Sequence, residues 1–137
     1  MVSLLIVSHS ARLAEGVKEF ADQVAAGKVK IAAAGGAADG SLGTSVERIQ
    51  AGLQEIASPD GILVLVDLGG AVLSVETALD MFKAVPTVIS DAPLVEGAYL
   101  AAIEASAGST LEETAAAAMQ ARAMIKVHRS PERGSDR

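Results

Sequence analysis

Of the two histidines in the 137 residues, His9 and His128, only the first ends an apolar run, Ser3-Leu4-Leu5-Ile6-Val7-Ser8. Imidazole changes charge near neutral pH and serves there as base or nucleophile. A second apolar run, Ile62-Leu63-Val64-Leu65-Val66, delivers Asp67 in the same way, just before Leu68-Gly69-Gly70. An aspartate bonded to one ring nitrogen fixes the tautomer and leaves the other lone pair outward. It also stabilises the charge that the ring gains on attacking an electrophile. Gly69, Gly70 and Ala71 sit where a strand gives way to a helix, so their backbone N–H groups can face an anion at the positive helix end. Ser10 and Thr44 are the candidate hydroxyl donors to the same anion. A nucleophilic imidazole beside an anion cradle points to a phosphoryl group. Each part also has a plainer reading: a lone histidine after a strand is commonly a hydrogen-bonded loop residue, and Gly-Gly before a helix is commonly a tight turn.

The elements that must position these residues can be read along the chain. Both apolar runs are short and rich in branched residues, as in strands buried on both faces. After His9, the spacing of Leu13, Val17, Phe20 and Val24 predicts an amphipathic helix ended by Gly27. Val29 to Ala34 predicts a second strand, and Gly35 to Gly43, with four glycines, reads as a flexible loop and candidate lid. Thr44 and Glu47 have capping-box spacing, and Val46, Ile49, Leu53 and Ile56 predict a helix from Thr44 to the Ser58-Pro59-Asp60-Gly61 turn. A third helix with Val72, Val75, Leu79 and Phe82 inward precedes Pro86 and a short strand, Thr87 to Ser90. Two alanine-rich helices follow, over Leu94 to Ser106 and after Gly108, the latter capped by Ser109 or Thr110 with Glu112 or Glu113 answering.

This alternation predicts one α/β domain over residues 1–128, with residues 129–137 as a polar, flexible tail. The architecture is an open, mostly parallel, doubly wound sheet of order 2-1-3-4 with helices on both faces. In that order the first and third strands are neighbours, and their connections leave toward opposite faces, so a crevice opens at their carboxyl ends. His9 and Asp67 stand at those two tips. Neighbouring strands lie about 4.8 Å apart, within side-chain reach.

Composition narrows the chemistry further. A net charge of −6 without a dense Lys/Arg stripe excludes nucleic acid as a natural partner and leaves proteins or small molecules. With no cysteine, thiolate catalysis and cysteine-bound zinc are out, and a reducing compartment, the cytoplasm, is the expected location. The first apolar run is too short for a secretory signal or a membrane span, so no membrane partner is expected. No Gly-x-Ser-x-Gly elbow, Walker A loop or Gly-x-Gly-x-x-Gly fingerprint occurs, and one histidine with one aspartate falls short of a metal site. Any nucleotide is then expected on a partner.

Three blocks carry a family resemblance. They are Ile6 to Val17 around His9, Val66 to Leu79 around Asp67, and Ala92-Pro93-Leu94-Val95-Glu96-Gly97. Together they closely resemble the DhaM-type phosphotransferase subunits of PEP-dependent dihydroxyacetone kinases, whose wider relatives are the mannose-type EIIA domains. The likeness runs to about Val127. It implies that His9 is the phosphorylated histidine and Asp67 its partner. It further implies that HPr donates the phosphoryl group and that ADP held on a DhaL-type subunit accepts it, the regenerated ATP serving a DhaK-type subunit that binds dihydroxyacetone. No tightly bound cofactor is implied for this chain itself. One departure stands out: relatives usually read Gly-Ser where this chain has Gly69-Gly70, which removes a hydroxyl and leaves phosphate contacts to backbone amides. The resemblance implies a homodimer, and the alanine-rich helices suit either a dimer contact or the cover of one sheet face. A sugar-transporting mannose-type EIIA and a non-catalytic module sensing phosphorylation remain the alternative readings.

Overall fold

A computed structural model describes residues 1–128, and the expected polar tail lies outside the described residues. Four strands alternate with helices in the order β1 (Ser3–Ser8), α1 (Ala11–Val24), β2 (Ile31–Gly35), α2 (Val46–Glu55), β3 (Ile62–Val66), α3 (Gly69–Leu79) and β4 (Thr87–Ser90). Helices α4 (Leu94–Ser106) and α5 (Leu111–Met119) follow, with a 3₁₀ turn at Gln120–Ala123. The sheet order is β2-β1-β3-β4 and every pairing is parallel, as the sequence predicts. No helix of the described residues is long and apolar enough to cross a membrane.

All six residues of β1 and all five of β3 are buried, because helices cover both faces of the sheet. Alternate residues serve alternate layers. Leu4, Ile6, Leu63 and Leu65 meet Ala14, Val17 and Ala21 of α1 and the alanines of α4, whereas Leu5, Val7, Val64 and Val66 meet Ile49 and Leu53 of α2 and Ala71, Val75 and Ala78 of α3. Helix α1 leaves β1 toward one face and α3 leaves β3 toward the other, so the switch point lies between β1 and β3. Pairing of Val7 with Val66 then brings the residues just beyond these strands together.

The helices turn a smaller face inward than the apolar spacing predicts. In α1 the buried residues are Ala14, Val17 and Ala21, while Leu13 and Phe20 are 42% and 44% exposed. The cause is close approach to the end of β2. A Cβ on Gly35 would stand 2.6 Å from the Ser10 carbonyl oxygen and 2.8 Å from the Ala14 Cβ, so the crossing has room for little beyond Gly against Ala. Phe20 stacks on Tyr99 of α4 instead, with ring centroids 5.8 Å apart. In α3, likewise, Ala71, Val75 and Ala78 are buried, and Val72 and Leu79 only half so. The alanines of α4, with Gly97, are used the same way, packed on the sheet and on α5.

Boundaries shift by small amounts for identifiable reasons. Strand β2 runs to Gly35 rather than stopping at Ala34. Beyond α1, Ala26 takes a left-handed φ of 53° before Gly27 takes 73°. The cap of α2 is Ser45, whose Oγ accepts the Arg48 N–H at 3.2 Å, and not Thr44, whose hydroxyl is engaged elsewhere. In α5, Thr110 and Glu113 form the expected capping box.

The Gly35 crossing makes a prediction with an internal control. Gly35→Ala places its methyl against backbone that cannot yield, and should destabilise by about 1–3 kcal/mol. Gly16→Ala, in the middle of α1 with nothing within 4 Å of the new methyl, should stabilise by up to about 1 kcal/mol. Urea unfolding of both variants beside the wild type measures the two effects.

Candidate functional site

The site is built outward from a carboxylate. Asp67 follows β3 and accepts four hydrogen bonds. Its Oδ2 takes the Ser8 hydroxyl at 2.9 Å and the His9 backbone N–H at 2.9 Å. Its Oδ1 takes the His9 ring at Nδ1, 3.0 Å away, and the Leu68 N–H at 2.7 Å. Four donors match the capacity of an ionised carboxylate. Burial alone would push the Asp67 carboxyl up, but the hydrogen bonds from the His9 backbone, the His9 ring, Ser8 and Leu68 outweigh it and hold the group below its ordinary range.

That charge decides the state of the ring. An ionised carboxylate can only accept, so the proton of the neutral imidazole lies on Nδ1 and the lone pair lies on Nε2. Nε2 faces the start of α3: a Cβ on Gly70 would stand 3.3 Å from it. Glycine at this position therefore leaves the nitrogen less crowded than any residue with a side chain would. The His9 side chain is 33% exposed, against 13% for Asp67, so the ring is the more open of the two.

Two helix ends converge here. Ser10 caps α1, its Oγ accepting the Leu13 N–H at 3.2 Å, which places His9 one residue before that cap. Helix α3 starts at Gly69 with Leu68 as its cap and no side-chain cap bond. The N–H groups of Gly69 and Gly70, in its first turn, have no intrahelical acceptor, and the positive helix end adds to the attraction for an anion. The N–H of Ala71 is already engaged with the Leu68 carbonyl at 3.0 Å, so of the three candidate amides it is the least able to serve.

The glycine-rich loop after β2 is tied down rather than loose. Gly36 N–H donates to the Ser8 carbonyl at 3.1 Å, and Gly43 N–H to the His9 carbonyl at 2.9 Å. Thr44, expected among the phosphate ligands, shares a 2.6 Å hydrogen bond with Ser74, one turn beyond Gly70 on α3. Arg48 of α2 donates to the carbonyls of Gly35, at 2.9 Å, and Ala38, at 3.2 Å.

The structure thus joins His9 to Asp67 and brings Gly70 against the ring, while Ser10 and Thr44 hold helix and loop in place. It adds Ser8, Gly43, Arg48 and Ser74, which sequence reasoning did not select. Ser8 had a legible signal: a hydroxyl at the end of a strand buried on both faces commonly takes a partner. A crevice of about 330 Å³ opens beside Asp67, between the ends of β3 and β4, lined by Leu68, Gly69, Ser90, Asp91 and Arg122 among others. His9 does not line it.

Comparison with known proteins gives this geometry a context. Residues 3–115 match the EIIA-man family model, described as the PTS system fructose IIA component. The chain is 42% identical over 127 residues to the phosphoryl donor subunit DhaM of the PEP-dependent dihydroxyacetone kinase of Klebsiella michiganensis, covering 88% of this chain and 27% of that protein. It therefore spans about a quarter of that relative's length. A DhaM subunit of Listeria innocua is 38% identical over 107 residues, covering 76% of this chain and 86% of its own. Among solved structures, a protein of unknown function, EF1359, superposes with a TM-score of 0.76 at 39% identity, covering 87% of this chain and 93% of that one.

The Asp67 network predicts a pH-dependent stability. Asp67→Asn sets an NH₂ group against donors and should cost about 1–3 kcal/mol at neutral pH. Because the folded pKa of Asp67 is lowered, the wild-type advantage is complete above the ordinary aspartate value of 3.8 and is lost as pH falls through the lowered one. Thermal melts of both proteins from pH 7 to pH 2 should therefore converge only at the acid end.

Proposed function

Since the chain belongs to the EIIA-man family, in the DhaM-type branch of dihydroxyacetone kinase phosphoryl donor subunits, we propose that it carries a phosphoryl group on His9 Nε2 between two protein partners. The observation that carries this reading is the division of the ring: Nδ1 is held by Asp67 at 3.0 Å, and Nε2 is left free beside Gly70.

In the first step the Nε2 lone pair attacks the phosphorus of phospho-HPr. The donor P–N bond breaks as the P–Nε2 bond forms, and the Nδ1 proton stays in its bond to Asp67, which offsets the charge gained by the ring. The new phosphoryl oxygens meet the N-terminus of α3, where the amides of Gly69 and Gly70 favour negative charge. In the second step a terminal oxygen of ADP, bound on a DhaL-type subunit, attacks the phosphorus. The P–Nε2 bond breaks, the electron pair returns to the ring, and ATP forms for the phosphorylation of dihydroxyacetone on a DhaK-type subunit. Alignment and charge stabilisation supply most of the catalysis, since the P–N bond is already labile. A ring that reaches solvent outside the neighbouring crevice suits exchange with proteins rather than the burial of a small substrate. In this reading the chain acts as a homodimer in the cytoplasm.

Incubation with PEP, enzyme I and HPr should add one acid-labile phosphate per chain, read by intact mass, and His9→Ala should add none. Asp67→Asn should slow charging by on the order of 10²-fold, the lower end of what acid–base support supplies. Addition of a DhaL-type subunit with ADP should discharge the phosphoprotein. Discharge by a sugar-specific EIIB instead would assign the chain to sugar transport, and saturable anion binding without covalent phosphate would make it a sensing module.

A further inference from the structure

The His9 backbone is gripped at both of its polar groups. Its N–H donates to Asp67 Oδ2 at 2.9 Å, and its carbonyl accepts from Gly43 at 2.9 Å. The first grip belongs to a carboxylate on the next strand. The second belongs to a loop in which Gly36, Gly40 and Gly43 all take positive φ angles, a chain with many conformations to choose from. Something must select the one in which Gly43 meets His9.

We propose that Arg48 is that selector, a positioning residue that acts on His9 through the loop. Its guanidinium bonds the carbonyl of Gly35, where β2 leaves the sheet, and the carbonyl of Ala38, three residues later. Two carbonyls at different points on a loop require a forked donor, and a bond from a charged donor to a carbonyl is stronger than a neutral one. Arg48 is itself fixed by its place in the first turn of α2, where its own N–H meets the Ser45 cap. The loop then closes a circuit. Gly43 holds the His9 carbonyl, Thr44 holds Ser74 at 2.6 Å, and one turn before Ser74 on α3 lies Gly70, the residue facing Nε2. Releasing the clamp therefore loosens both the backbone that carries the ring and the strut that sets its distance from α3. Arg48 does not touch the reacting atoms.

This inference rests on the phosphoryl-carrier reading only for its effect on rate, so the experiment has two arms. In the first, amide hydrogen exchange and ring ¹⁵N shifts are recorded for the wild type, Arg48→Met and Arg48→Lys. Arg48→Met should accelerate exchange at Gly43 about tenfold, leave the β1 and β3 amides unchanged, and move the His9 ring shifts away from the pure Nδ1–H tautomer. Arg48→Lys should recover part of both, having one donor head in place of a fork. Unchanged exchange at Gly43, unchanged ring shifts, or equal acceleration throughout the sheet would each overturn the proposal. In the second arm, single-turnover charging is timed with phosphoramidate, a small donor that needs no docking surface, and with phospho-HPr. Arg48→Met should be about three- to tenfold slower with both donors, with Arg48→Lys between. Equal rates in a wild type and variant that both charge would overturn the proposal. A wild type that charges with neither donor would overturn the carrier reading and leave the first arm to decide the role of Arg48.

Discussion

A single carboxylate at the carboxyl edge of the sheet organises everything that makes His9 distinctive. Left alone, a partly buried Asp67 would be an electrostatic burden. With Ser8, the His9 backbone, the His9 ring and Leu68 all donating to it, the charge is satisfied within two short stretches of chain, residues 8–9 and 67–68. The arrangement works only if β1 and β3 are parallel neighbours in the observed register. A one-residue slip would invert every side chain of the slipped strand across the sheet and withdraw at least the Ser8 and ring contacts together. Fold and site are therefore specified by the same pairing.

The convergence of helix ends follows from how small the packing residues are. Gly35 against Ser10 and Ala14 lets α1 start close against the end of β2. On α4, Gly97 lies under Ala92, where a Cβ would stand 2.8 Å from the Ala92 methyl, again leaving room for nothing larger. The low aromatic content, 2%, belongs to this design, since a core of Ala, Val, Leu and Ile allows the helices to sit tightly over short strands. Tight seating brings the start of α3 against the imidazole and sets the cap of α1 one residue after His9. The partial positive charge of a helix start adds nothing to the net charge of −6.

Much of this was legible in the residues. The continuous runs Leu4 to Val7 and Ile62 to Val66 can hardly be anything but doubly covered strands, and the alternation with helices leaves few sheet orders that avoid crossed connections. Once order 2-1-3-4 is chosen, His9 and Asp67 become neighbours. The helix faces were less legible because the large apolar residues Leu13, Phe20 and Val72 carry the stronger hydrophobic signal, whereas the decisive contacts are made by alanine at closest approach. Thr44 and Ser45 are both competent caps by type, and only the tertiary bond from Thr44 to Ser74 settles which of them caps. Arg48 gave no sign at all: a cation on an exposed helix face looks like solvation until the loop it reaches is folded beside it.

The same interactions reconcile two demands that usually conflict. In the proposed reading, a relay histidine must be accessible to large partners, yet its lone pair must be aimed without help from a bound substrate. Aim comes from one side of the ring and access is kept on the other: Ser8 is buried and Asp67 partly so, and Gly70 withholds a side chain from the outer nitrogen. A serine at position 70 would add a hydroxyl for the phosphate but would also set a carbon 3.3 Å from Nε2. With glycine, the donors left at the start of α3 are the amides of Gly69 and Gly70, whose directions are fixed by the helix they begin rather than by a rotamer. Preorganisation at the site therefore lies in the backbone, and the backbone is what Asp67, Gly43 and the Thr44–Ser74 bond hold in place.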